Sequence, residues 1–165
     1  MKQTDYFLAP LAKDICLRIE CSNVAREYAS PWQRISVETT RAFGRLYHLD
    51  GHAMAAEADE FIIHESLVHI VALAHPAPVS TLILGGGDGA SARELLKHPS
   101  ITRIVVAELD PDVVRVVSAE IPALPAGAFD NPRVALHIGD AAETLRTLHA
   151  RGERFDLILF DLTEP

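Results

Sequence analysis

LILGGGDGASAREL, residues 82–95, decides the fold. An apolar run enters three consecutive glycines, then Asp88 and Gly89, and then residues of helical character. A glycine-rich turn between an apolar strand and a helix opens a βαβ unit. The following residues keep that rhythm. VSTLILGGG is a short apolar strand and ASARELLKH a helix stopped by Pro99. ITRIVVAEL is a second strand, and Asp110 and Pro111 supply an N-cap and an N1 proline for PDVVRVVSAEI. RVALHIGD is a third strand, AAETLRTLHARG a helix ending on Gly152, and FDLILF a fourth strand. Strands that are apolar almost throughout, alternating with helices, predict an α/β fold with a doubly wound parallel sheet.

Ligands of open α/β sheets bind outside the carboxyl ends of the strands. Each of the four strands delivers a carboxylate there: Asp88, Glu108, Asp140 and Asp161. One acid at a strand end is an ordinary helix cap, but four on one rim read as a binding set. Glu108 stands where nucleotide-binding folds keep an acid for the ribose hydroxyls. Asp140, in GDA, is placed to accept from an adenine amine. Gly85, Gly87 and Ala90 fit the spacing G-x-G-x-x-A, and glycine lets the backbone come close to a ligand. Asp88 would repel a pyrophosphate and attract a sulfonium or ammonium. The expectation is a nucleoside pocket with a cationic tail.

Upstream, the chain reads as a small antiparallel sheet. ICLRIE and QRISVET alternate, and Asp50-Gly51 in GRLYHLDGHAM marks a hairpin. DEFIIHESLVHIVALAH reads as a helix ending before His75-Pro76, with PAPVS as a linker. The predicted organisation is therefore 1–60 as an N-terminal β-domain, 61–78 as connecting helix and linker, and 79–165 as the nucleoside-binding domain. An apolar fourth strand needs partners on both sides, so the natural chain is expected to continue beyond residue 165.

The net charge of −8 argues against a nucleic-acid partner, which calls for a basic footprint, and suits a cationic substrate. No apolar run reaches the roughly 20 residues of a membrane span. With two cysteines and no signal-like apolar segment at the start, the expected setting is a reducing cytoplasm. His48, His52 and His64 read as scattered, with no metal site, and no Ser/His/Asp or Cys/His arrangement is legible.

LILGGGDGASARELLKHPSI, VVAELDPDVV and FDLILFDLTEP, with SPWQRISVETT, FGRLYHLDG and DEFIIHESLVH before them, resemble the spermidine synthase (polyamine aminopropyltransferase) family. The resemblance runs from about residue 28 to the end. It implies a methyltransferase-type Rossmann-like domain behind a small N-terminal antiparallel β-domain. It implies transfer of an aminopropyl group from decarboxylated S-adenosylmethionine, a co-substrate rather than a prosthetic group, to a polyamine such as putrescine. Spermidine and methylthioadenosine would be the products. By matching of motifs, Gln33, Asp88, Glu108, Asp140 and Asp161 fall on donor-site positions, and Asp161 and Glu164 on those that hold the acceptor amine. His64 matches a position where the family has Gln or His, and the resemblance implies that it binds the substrate. Asp161 would also take the amine's proton, and Asp88 would repel the carboxylate of ordinary S-adenosylmethionine. Met54, Ala58 and Ile63 depart from the family's usual Gln, Arg and Tyr. A homodimer or homotetramer is expected, because apolar strands at the edge of the N-terminal sheet offer a pairing surface. The competing readings are an S-adenosylmethionine-dependent methyltransferase of the same fold and a non-catalytic oligomerising homologue.

Overall fold

A computed structural model describes residues 5–22 and 25–162. The chain divides into two compact units, residues 1–60 and 61–165.

In the first unit, β1 (Asp5–Ala12), β2 (Ile15–Cys21), β4 (Arg34–Thr40), β5 (Gly44–Leu49) and β6 (His52–Ala56) follow one another in an antiparallel sheet, and β3 (Arg26–Ala29) pairs with β4. The β5–β6 hairpin turns on Asp50 and Gly51, with φ of 48° and 86°. Two left-handed residues are what a two-residue turn matched to strand twist requires. The Asp50 carboxylate also accepts from the Arg34 amide, at 2.9 Å. Phe7, Ala9, Ile19, Cys21, Leu46 and Ala56 form the core of the unit. The expected alternation of β2 holds only toward its end: Ile19 and Cys21 are buried, while Ile15 and Leu17 are exposed. β1 falls in the region read as an N-terminal β-domain, although no stretch before ICLRIE is singled out there as a strand. It lies at the edge of the sheet and its register slips between Pro10 and Ala12, where a residue without an amide hydrogen is tolerated.

In the second unit, α1 (Glu60–Ala74) precedes β7 (Ser80–Gly85), α2 (Ala90–Leu96), β8 (Arg103–Glu108), α3 (Pro111–Glu120), β9 (Val134–Ile138), α4 (Ala141–Ala150) and β10 (Leu157–Asp161). The sheet order is β10-β7-β8-β9, and every pairing is parallel. β7 and β8 are apolar on both faces because both are covered. Ile83, Ile104 and Val106 pack with Val68 and Ala72 of α1 and Ala92 and Leu95 of α2. Leu82, Leu84, Val105 and Ala107 pack with Leu148 of α4. Asp110 caps α3, its carboxylate accepting from the Asp112 amide, with Pro111 at the first helical position. Among the described residues β10 pairs only with β7, and Phe160, facing away from the core, is 68% exposed. The chain order places β8 and β9 on one side of β7 and β10 on the other. The topological switch point, where such sheets bind ligands, therefore lies between the ends of β7 and β10.

Candidate active site

The Gly-rich turn is built to receive two carboxylates of the protein itself. Asp161 pairs in register with Gly85, and its carbonyl accepts from the Gly86 amide at 2.9 Å. A Cβ on Gly85 would stand 2.1 Å from that carbonyl oxygen, and the residue has φ +81°. A Cβ on Gly87 would stand 2.7 Å from the carboxyl of Glu108. The glycines thus have an immediate reason that precedes any ligand: no side chain fits between the turn and the acids of neighbouring strands.

Glu108 spans the turn and the start of α3. One oxygen accepts from the Gly87 amide and the other from the Asp110 amide, both at 2.9 Å. Burial pushes its pKa above the usual carboxylate range; the amides of Asp110, Gly87 and Leu109 pull it back only in part, while the Asp110 charge adds to the rise. Each carboxylate oxygen retains a second lone pair, so a fixed, partly exposed acceptor faces the rim.

Asp88 is buried at the foot of α2. One oxygen accepts from the Ala90 amide at 2.9 Å, and the other lies 3.5 Å from Nε2 of the equally buried His64. One polar atom each of His64, Asp88 and Asp161 lie within 4.8 Å of one another. Burial, and then the charge of Asp88, raise the pKa of Asp161; the Ser91 hydroxyl and His64 oppose the rise. Asp161 Oδ2 and Ser91 Oγ are both buried without a well-formed hydrogen bond. Two carboxylates crowded in a desolvated corner are short of positive charge, so the corner suits a cation or a proton.

The expectation that His64 stands apart from acids is corrected: α1 brings it onto the rim beside residues 24 and 97 positions later. His48, also expected to be isolated, lies 3.5 Å from Glu38 within the first unit and stacks on Phe7. Asp140 is exposed and caps α4, accepting from the Glu143 amide at 2.9 Å. Gln33 belongs to the first unit, in the turn where Ser30 bonds its amide. Ile63 is exposed. Glu164 lies outside the described residues. Sequence reasoning missed Ser91, which carries no motif. It also missed a buried cluster around Glu94, signalled by a charged residue inside the apolar stretch ARELL.

A parallel sheet flanked by helices, with a Gly-rich turn and acids at its switch point, places the second unit in the Rossmann-like class. The comparisons narrow this. A family model described as "Spermine/spermidine synthase domain" matches residues 60–165, and the chain belongs to that family. It is 38% identical over 161 residues to a polyamine aminopropyltransferase of Nitrosomonas europaea, covering 98% of this chain and 49% of the relative. It is 44% identical over 136 residues to polyamine aminopropyltransferase 1 of Hyperthermus butylicus, covering 82% and 47%. A crystal structure of spermidine synthase in complex with the transition-state analogue AdoDATO superposes with TM-score 0.92 at 33% identity, over 99% of this chain and 55% of that one. The spermidine synthase of Thermotoga maritima gives 0.91, also at 33% identity and with the same coverage. The chain spans about half the length of the curated relatives it matches.

Proposed function

We propose that the protein transfers an aminopropyl group from decarboxylated S-adenosylmethionine to a polyamine such as putrescine, giving spermidine and methylthioadenosine. The observation that carries this reading is the buried, unpartnered oxygen of Asp161 beside Asp88 at the switch point. The donor brings a sulfonium and an ammonium but no carboxylate. Asp88 attracts the ammonium, and Glu108 accepts from the ribose hydroxyls. Asp140 accepts from the adenine amine at the end of β9. Gly85 and Gly87 shape the turn against the nucleoside, and His64 orients Asp88. The neutral amine of the acceptor attacks the carbon next to sulfur. An N–C bond forms, the C–S bond breaks, and its electron pair leaves with the sulfur as neutral methylthioadenosine. The proton lost by the amine passes to Asp161, whose raised pKa makes it a better acceptor than an ordinary aspartate. Much of the rate comes from holding nitrogen, carbon and sulfur in line.

Gln33 at the donor and Glu164 at the acceptor's distal ammonium complete the assignment on the family resemblance. Ile63, in place of a tyrosine, removes a hydroxyl from the acceptor side and favours an amine that needs no hydrogen bond there. A cytoplasmic setting is supported by Cys16 and Cys21 standing as thiols rather than as a disulfide. No helix of the described residues is long and apolar enough to cross a membrane. Homo-oligomeric assembly is supported by Tyr6, Leu8, Ile15 and Leu17, all exposed on the β1–β2 pair at the edge of the sheet.

The test is a thermal shift on the full natural chain with methylthioadenosine, decarboxylated S-adenosylmethionine and S-adenosylmethionine, followed by mass spectrometry of amines incubated with the donor. Stabilisation by the first two and a mass gain of one aminopropyl unit is the expected result. Stabilisation by S-adenosylmethionine alone would point to a methyltransferase, and no shift with any of the three would leave a non-catalytic homologue.

A further inference from the structure

Helix α1 lacks a clear hydrophobic preference for the face it buries. His64, Val68 and Ala72 form its buried stripe at i, i+4 and i+8, whereas Ile62, Ile63, Ile70 and Leu73 are exposed. Turning the helix about its axis would exchange a valine and an alanine for larger apolar side chains. Burial alone therefore does not set the rotation that points His64 at Asp88.

A polar chain lies one residue round from the buried stripe. His69 Nε2 is 3.0 Å from Glu94 Oε2, and His69 Nδ1 is 2.8 Å from His98 Nε2. The Glu94 side chain is only 1% exposed, and it also meets Lys97 Nζ at 2.5 Å and Arg93 Nε at 2.8 Å. Lys97 reaches toward Glu65 on α1, at 4.0 Å. Arg133 donates to the His98 carbonyl. Glu94 Oε2 makes no well-formed hydrogen bond, so His69 Nε2 stands beside it as a close polar contact. His69 Nδ1 and His98 Nε2 share one hydrogen bond, whichever of the two nitrogens carries the proton. Glu65, His69 and Glu94 also have atoms within 4.8 Å of one another, as in a metal site. Glu94 already has Arg93 and Lys97 as counter-charges, however, and its lowered pKa reflects their bonds outweighing burial.

We propose that Glu94, His69 and His98 are positioning residues: the His69–His98 bond and the close contact of His69 with buried Glu94 fix the rotation of α1 on α2 and so hold the His64 imidazole at the Asp88 carboxylate. This rests on the reading of His64, Asp88 and Asp161 as the active corner. Burial and the neighbouring His69 already disfavour charge on His98, against the attraction of Glu94.

The experiment uses the full natural chain with 13C-labelled histidine. The titration midpoint of His64 is read by NMR in the wild type, Asp88→Asn, His69→Ala, His98→Ala and His98→Asn, alongside kcat and KM. In His69→Ala and His98→Ala the His64 midpoint is expected to move in the same direction as in Asp88→Asn. Their kcat should fall about tenfold or more, as misplacement at a reacting centre does. His98→Asn keeps an N–H donor but cannot charge. It should restore both the His64 midpoint and kcat. If His69→Ala does not fold, His98→Ala and His98→Asn carry the comparison. An unmoved His64 midpoint in folded His98→Ala, with only Tm lowered, would overturn the proposal. A wild type without aminopropyl transfer would overturn the functional reading alone, because the NMR comparison needs no turnover.

Discussion

Replacing Gly87 with alanine separates the fold of the turn from its chemistry. Gly87 does not have a positive φ, so an L-residue is not strained there by its backbone. The obstacle is the Glu108 side chain, whose Cδ and Oε2 would lie 2.7 Å from the new Cβ and whose Cγ would lie 2.8 Å away. Ordinary carbon contacts need ~3.5 Å or more, so the carboxyl must withdraw by roughly 1 Å. The obstructing group is the far end of a flexible side chain, and it can move. Moving it breaks the 2.9 Å bond from the Gly87 amide and leaves that buried donor unpaired, which costs about 1–3 kcal/mol. At this chain length each kcal/mol lowers Tm by about 2–4 °C. The ribose loses its charged acceptor as well, worth about 1.5–3 kcal/mol, or about 10- to 150-fold in affinity. Calorimetric titration of methylthioadenosine into folded Gly87→Ala should read that loss. Gly85→Ala is the contrast: its Cβ would meet the Asp161 backbone at a positive φ, so the fold itself should fail. An unchanged affinity in folded Gly87→Ala would refute the assignment of Glu108 to the ribose.

Asp161→Asn should lower kcat by about 10²–10⁴-fold, the range for loss of a general base, with the donor's Kd little changed when measured directly. The raised pKa of Asp161 means that the folded state holds this proton more tightly than the unfolded one. Its contribution to stability is present below the unfolded value and is lost as pH rises through the folded one. The Tm difference between Asp161→Asn and wild type should therefore grow with pH across that window; a flat difference would count against the buried carboxyl. Asp88→Asn keeps an oxygen for the Ala90 amide while removing the charge. The preference for decarboxylated over ordinary S-adenosylmethionine should fall by about tenfold or more, read as a ratio of Kd values. Asp110→Ala removes the α3 cap and should cost about 1 kcal/mol, seen in denaturant midpoints with the slope unchanged.

The parallel sheet was legible because its strands are apolar on both faces and its helices carry their own punctuation: Asp110-Pro111 starts α3 and Gly152 follows α4. The rim acids were legible because strand ends are predictable and each strand ends on a carboxylate or meets one within three residues. β1 was legible only as part of a β-domain and not as a strand of its own, since a sequence does not say which strand is an edge. The role of the glycines was legible only in part. Positive φ is a property of the turn, but the Asp161 carbonyl that fills the space above Gly85 and the Glu108 carboxylate above Gly87 come from 76 and 21 residues away. His64 and the chain through Glu94 were illegible for the same reason. A helix turn of E-x-x-x-H shows which side chains share a face, not what the tertiary fold brings opposite them.

The tie between β7 and β10 also bears on when the corner comes into being. Asp156 accepts from the Ser80 amide at 2.8 Å across 76 positions, and Asp161 reaches back to the glycine turn from the last of the described strands. Closing a loop of that length costs about 4 kcal/mol by the (3/2)RT ln n relation, and parallel pairing over such separations forms slowly. The helix, turn and acid of the β7–α2–β8 segment can be in place early, yet Asp161 joins them only when β10 docks. During synthesis and refolding alike, the proposed site is thus a late-arriving property of this sheet, and on that reading a bound nucleoside would report that the last of the described strands has found its neighbour.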